Sequence, residues 1–212
     1  ASMLIPGGAA RKLFGEAGLR RAIDSTFHGD GGIISRSPLA QLEGVMLLAM
    51  VTAVYDARRE QVPAFLHEGL GRAVPALLGL THGDGGLGCW QGAGAIDAGQ
   101  VQAVLRASRV RTRPLRQARD WGYQRIAAGN TVLQIDAAPP PVARLAEASC
   151  ASTGAIEVSD GSHRLIVNCG GAGLAGAWIP HALAQGLRTT AAHSTLILDD
   201  CNSTALLPDG TL

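Results

Sequence analysis

His28-Gly29-Asp30-Gly31-Gly32 returns, residue for residue, as His82-Gly83-Asp84-Gly85-Gly86, 54 positions further on. Glycine and aspartate at this density stop a helix, because glycine accepts backbone conformations that other residues avoid and aspartate bonds nearby amides. The interval between the copies is about the length of two helices with their connections. Self-similarity at such a period points to stacked helical hairpins, each unable to bury its apolar face alone. Chance recurrence in a chain with 28 glycines is the competing reading.

Ahead of the first copy, Ala9–Phe27 places Leu13, Ala17, Ala22 and Ile23 near one helical face. After it, Ser37-Pro38 combines a hydroxyl able to cap free amides with a proline suited to a first turn, so a helix should start there. Leu39, Leu42, Met46, Ala49, Met50 and Ala53 continue it at three- and four-residue steps to Arg58, and Leu47, Leu48 and Val51 widen the stripe. Such a helix is expected to be buried on most sides. Another runs from Pro63 to Leu80, with a kink expected at Pro75. A shorter one follows over Asp97–Arg109, with Asp97 as its cap.

The period then changes from helical to alternating. Tyr123–Ala127 and Thr131–Ile135 flank Ala128-Gly129-Asn130, and three prolines close the second strand. Ala155–Ser159 and Arg164–Asn168 flank Asp160-Gly161-Ser162-His163, with Ile156, Val158, Leu165 and Val167 alternating as in a hairpin. Ser194–Leu198 is read as a further strand. The expected fold is therefore α+β and multidomain, with paired helices over 1–119 and an antiparallel sheet over 120–212. Read this way, the chain begins partway into a helical array and has too few strands for a closed sandwich, which predicts missing sequence or homo-oligomer contacts.

Composition narrows the partners. Of 212 residues 47% are apolar, enough for a real core, and 18 Lys plus Arg against 17 Asp plus Glu leave a formal charge of +1. No global field then draws the chain to nucleic acid or an acidic membrane. Six arginines nevertheless crowd into Arg106–Arg119, either a solvated connector or an anion-contacting surface. The longest uncharged apolar stretch, Gly44–Val51, is far short of the roughly 20 residues of a bilayer span, so no transmembrane segment is expected. Ala1-Ser2-Met3-Leu4-Ile5-Pro6 is no secretory signal as it stands. Cys89, Cys150, Cys169 and Cys201 form no C-x-x-C pair and are expected to be buried free thiols.

Four stretches, in order, resemble the heparinase II/III-like polysaccharide lyases: Gly29-Asp30-Gly31-Gly32-Ile33-Ile34-Ser35-Arg36-Ser37-Pro38, Gly122-Tyr123-Gln124-Arg125, Leu165-Ile166-Val167-Asn168-Cys169-Gly170, and Arg188-Thr189-Thr190-Ala191-Ala192-His193-Ser194-Thr195-Leu196. The resemblance implies the C-terminal part of an α/α toroid over 1–119, the N-terminal part of a β-sandwich over 120–212, and an acidic polysaccharide or oligosaccharide in the cleft between them. It also implies a bacterial periplasmic or cytoplasmic location. The family's chemistry is β-elimination on a uronic acid, which needs the carboxylate neutralised, a base at C5 and an acid at the leaving oxygen.

The family's E-x-S-x-x-Y-H pattern falls on Ser35, Ser37, Ala40 and Gln41, so the toroid tyrosine is an alanine here. Its sandwich H-x-H falls on Ala148-Ser149-Cys150, so the catalytic histidine is absent too. The catalytic residues of this chain are therefore unknown, and a non-catalytic glycan-binding or scaffold protein is the alternative to a lyase. The three metal ligands map to Cys150, Asn168 and His193, where one zinc ion, a Cys150–Cys169 disulfide and inert buried side chains remain open. Trp90 and Gln91, after the second pentapeptide, could stack on and bond a sugar, against core packing of the indole. Arg36 could pair with a substrate carboxylate or sulfate, against a structural salt bridge. His28 and His82 are read as loop residues and Tyr123 as structural.

Overall fold

The computed structural model describes residues 8–142, 148–172 and 179–207. Four helices come first: α1 (Ala9–Thr26), α2 (Pro38–Ala57), α3 (Ala64–Gly79) and α4 (Ala98–Ser108). Four antiparallel strands then pair in sequential order: β1 (Tyr123–Ala128), β2 (Thr131–Asp136), β3 (Ile156–Asp160) and β4 (His163–Ile166). A short helix, α5 (His181–Gly186), and one 3-10 turn (Thr190–Ala192) follow.

Local chemistry sets the helix ends. The Ser37 hydroxyl accepts the Ala40 amide, with Pro38 in the first turn of α2. Asp97 accepts the Gly99 and Gln100 amides at 2.7 and 3.3 Å and so starts α4. α2 packs against both α3 and α4, burying Leu42, Val45, Leu48 and Ala49. It is also the one helix, among the described residues, long and apolar enough by composition to cross a membrane, at a mean hydropathy of 1.4. Glu43 and Asp56 interrupt its apolar run, and a helix packed in a protein core meets the same criterion. Met46, Leu47 and Met50 remain exposed on the side away from α3 and α4, so α2 is half-covered, not enclosed. Pro75 does lie inside α3, and its carbonyl accepts the Leu115 amide at 2.8 Å, which fastens the connector to the helix.

The two pentapeptides adopt the same conformation. In each, the histidine amide donates to the carbonyl of the last glycine (2.8 and 2.9 Å), and the first glycine of the closing Gly-Gly pair donates back to the histidine carbonyl at 3.0 Å. Gly31 and Gly85 take φ of 88° and 82°, a region closed to most side chains. The aspartates then reach forward to the sheet half. Asp30 accepts the Asp120 and Trp121 amides at 2.9 Å, and Asp84 accepts two bonds from Arg164 at 2.8 and 2.9 Å. The recurrence therefore marks two matching pins between the halves.

The sheet is sided opposite to habit. Gln134, Asp136, Glu157 and Ser159 are fully buried against the helical half. The aliphatic row Ile126, Leu133, Val158 and Ile166, aligned across all four strands, faces outward, and Ile126 and Ile166 are exposed. Residues Ser194–Leu198, expected to form a strand, do not. β4 occupies that side of β3 from Val158 onward, and of this segment only the Ser194 carbonyl reaches the strand, accepting the Ile156 amide at 3.0 Å. Asp199 and Asp200, both at positive φ, turn the chain back immediately afterwards.

A buried polar junction as the candidate functional site

Asp136 ends β2 at the point where the helical half meets the sheet, and has no exposed surface. Arg36 Nη2 donates to its Oδ1 at 2.5 Å, while Gln91 Nε2 and Ser152 Oγ donate to its Oδ2 at 3.0 and 2.7 Å. The rest of the Arg36 fork is committed as well, to the carbonyls of Trp121, Ala138 and Pro139. Arg36 and Gln91 both hold left-handed backbone, with φ of 58° and 45°. Such conformations cost on the order of 1–3 kcal/mol each and persist where surrounding bonds over-determine them, as here.

Two of the three residues expected to touch substrate thus meet at one carboxylate. Arg36 takes the salt-bridge role, and Gln91 is only 2% exposed. Trp90 is fully buried, its indole Nε1 donating to Gln134 at 3.4 Å and its ring tilted against Tyr123 at 5.7 Å, so it offers no face to a sugar. Tyr123 is structural: its hydroxyl donates to the Arg36 carbonyl at 2.8 Å, and Trp121 meets its ring edge-on at 5.0 Å.

A second hub lies one strand over. Glu157 Oε1 accepts the amides of Cys89 and Asn168 at 2.9 and 3.1 Å, and its Oε2 lies 2.8 Å from His82 Nε2. The other ring nitrogen of His82 is 3.0 Å from the Ser159 hydroxyl. His82 is therefore a buried tie between helices and sheet, not a local loop residue. The available signal was alternation: Gln134 with Asp136, and Glu157 with Ser159, sit at the two-residue spacing of one strand face. Which face turns inward is not written in that spacing.

The expected metal ligands fall on neighbouring loops. Cys150 Sγ approaches the Gly170 carbonyl at 3.7 Å. His193 is buried, and burial, outweighing the nearby Asp136 and Glu157 and the Leu187 backbone, lowers its pKa. Asn168 is already committed, donating to the Ile156 carbonyl and Glu157 and accepting the Ser194 amide at 2.8 Å. Among the described residues no three His, Cys, Asp or Glu side chains gather to hold a metal ion. An imidazole and a thiol are present, but as arranged the set does not fit zinc. The cysteines are free; Cys89 and Cys150 are buried as expected, whereas Cys169 and Cys201 are exposed. Burial pushes both the Cys89 and the Cys150 thiol up to about 12.

Open space adjoins both hubs. A groove of about 600 Å³ runs between the Asp84–Arg164 pair, Cys89, Ile96, Val167 and Asn168. Arg164 holds the Asp84 carboxyl below its usual pKa by direct hydrogen bonds, so this rim is charged at neutral pH. A second cavity, of about 380 Å³, lies beside Arg36, His28, Ser25, Asp120 and Pro140.

This arrangement of helices followed by an antiparallel sheet is shared with solved heparinase structures. Residues 110–212, just under half of the chain, match the family described as Heparinase II/III-like, C-terminal, and that segment is a Heparinase II/III-like C-terminal domain. A crystal structure of a mutant heparan sulfate lyase HepC from Pedobacter heparinus superposes with a TM-score of 0.75 at 16% identity, over 93% of this chain and 34% of that one. A crystal structure of heparinase III gives 0.69 at 13% identity, over 93% and 36%. FtsZ-localized protein C of Caulobacter vibrioides is 30% identical over 179 residues, 84% of this chain and 30% of its own length. The chain spans about a third of the length of the relatives it matches.

Proposed function

We propose that this chain is part of a polysaccharide-lyase-lineage protein that holds an acidic glycan without cleaving it, as a glycan-binding or scaffold member. The observation that carries this reading is that the polar groups of the junction are committed to one another. Arg36, Gln91 and Ser152 close on Asp136, and His82, Asn168 and the Cys89 amide close on Glu157. β-Elimination needs groups free to take and give a proton at the sugar. At the positions the resemblance gives to those groups stand Ala40, whose methyl moves no proton, and Ala148-Ser149-Cys150. The Cys150 thiol, pushed up to about 12 by burial, stays protonated. Gln41, next to Ala40, bridges the Gly31 and Ala73 carbonyls at 2.9 Å and is a structural bolt.

In this reading residues 1–119 continue an α/α toroid, and residues 120–212 begin a sandwich whose second sheet covers the row Ile126, Leu133, Val158 and Ile166. Glycan lies along the groove at the Asp84–Arg164 pair. The name of the Caulobacter relative, which places that protein with FtsZ, is in keeping with a scaffold role.

The test presents the protein with polyuronates and heparin and follows both binding and ultraviolet absorbance. Saturable binding with flat absorbance is expected. Rising absorbance from unsaturated uronate would overturn the reading and favour a second one, a lyase whose proton carriers lie outside this segment. The solved neighbour named as a heparan sulfate lyase is what keeps that second reading open.

A further inference from the structure

We propose that the arginine connector Arg106–Arg119 is a separate docking surface for an acidic polysaccharide, distinct from the junction groove. This rests on the reading that the protein handles acidic glycans, and names a surface that reading does not use. Arg106, Arg109, Arg111, Arg113, Arg116 and Arg119 are all exposed. Arg109 pairs with Asp56 at 2.7 Å, on the surface; the other five make no ion pair or side-chain hydrogen bond among the described residues. Asp120 is the one acidic residue between Asp97 and Asp136. In a chain of net charge +1 this is a concentrated positive strip.

A solvated linker would be untethered, and this one is not. α4 delivers the chain at Arg109, which is fixed in the left-handed region. The Leu115 amide donates to Pro75, the Arg116 carbonyl accepts the Arg125 amide, and the Ala118 amide donates to Tyr123, at 2.8, 2.8 and 3.0 Å. The Leu115 carbonyl also lies against Gly79, where a Cβ would come within 2.8 Å. Backbone order is thus in place around Arg116 and at Arg109 before any ligand arrives, which lowers the entropic cost of binding there.

The chemistry of the strip selects among polyanions. Every cation is a guanidinium, whose planar fork matches carboxylate and sulfate in pairs. Val110 and Leu115 pack toward the core, leaving no apolar face to enter a bilayer. Trp121 and Tyr123 are buried, so no ring is offered to stack on bases, and only Arg106 rides on a helix that could enter a groove. A flexible glycan bearing repeated carboxylates or sulfates needs neither rings nor a helix, only spaced forks.

The test measures binding of heparin and a polyuronate across a salt series, with duplex DNA and anionic phosphatidylglycerol vesicles in parallel. Three forms are compared with the parent: Arg111→Gln/Arg113→Gln/Arg116→Gln in the strip, Arg11→Gln/Arg20→Gln/Arg21→Gln on exposed α1, and Val167→Glu in the groove. The strip variant should bind glycan about tenfold more weakly at low salt, with a shallower salt slope, because fewer counterions are released. The α1 variant, with the same charge removed, should match the parent. Equal weakening in both arginine variants, or tighter binding to DNA or vesicles than to glycan, overturns the proposal. Unchanged binding in the strip variant with loss in Val167→Glu overturns it while leaving the functional reading intact. A parent that binds no acidic glycan overturns that reading itself.

Discussion

At the scale of the residue, Asp136 is the position least able to tolerate change, because a carboxylate with no solvent contact depends wholly on its three donors. Arg36→Ala should lower stability by about 3–5 kcal/mol, the cost of leaving a buried charge uncompensated, read as a fall in the denaturation midpoint. Arg36→Met with Asp136→Leu should recover part of that loss, since neither charge then remains. The thiols offer a second check. With Cys89 and Cys150 pushed up to about 12 by burial, iodoacetamide at neutral pH should label Cys169 and Cys201 and spare the other two until the chain unfolds, as peptide mass spectrometry would show. Metal analysis should find less than one zinc per chain, and a chelator should leave the melting temperature unchanged, because the Asn168 amide is already committed. Arg36 and Gln91 were visible in the chain as polar residues beside repeated Gly-Asp-Gly motifs. Their common partner was not, because Asp136 lies 100 residues beyond Arg36 and nothing local ties the two together.

At the scale of the element, capping and close approach decide. Asp97→Ala should cost about 1 kcal/mol, the usual worth of a lost N-cap, measurable by chemical denaturation. Gly83→Ala should do more harm than its size suggests, because its Cβ would fall 1.9 Å from the Gly161 carbonyl and force the β3–β4 turn away from the second pentapeptide. Weakened amide protection in β3 and β4, with α1 to α3 unaffected, is the expected hydrogen-exchange pattern. The starts of α2 and α4 were legible because caps act within three residues, and so was the hairpin around Asp160-Gly161-Ser162-His163. Ser194–Leu198 misled because alternation does not say whether a partner strand lies alongside: only Ser194 meets β3, and the chain turns back at Asp199 and Asp200. The sense in which the sheet faces was illegible for a related reason: alternation fixes two faces without saying which is covered.

At the scale of the molecule, an ion pair joins the two halves beside their shared apolar core, and acid should weaken that tie. Hydrogen bonds from Arg164 hold the Asp84 carboxyl below its ordinary value, so this tie stabilises the fold above the unfolded carboxylate pKa, near about 4, and is lost as pH falls through the lower folded value. The pair is partly exposed, and its worth is at most about 1 kcal/mol. Asp84→Asn should therefore be slightly less stable at neutral pH and show a flatter decline below pH about 4, measured by thermal melting across a pH series.

The inverted sheet also acts as its own alignment gauge. Sliding β3 by one position would drive Ile156 and Val158 in beside His82 and the Cys89 amide, and put Glu157 and Ser159 out among the aliphatics of β2 and β4. Each misplaced group would lose its counterpart at once, so mispaired strands are rejected by unmet polarity, where most sheets reject them by exposed grease. Substitutions among aliphatics on the outer side should consequently be forgiven, while even Glu157→Gln, near-identical in shape, should blur which alignment the hairpin adopts.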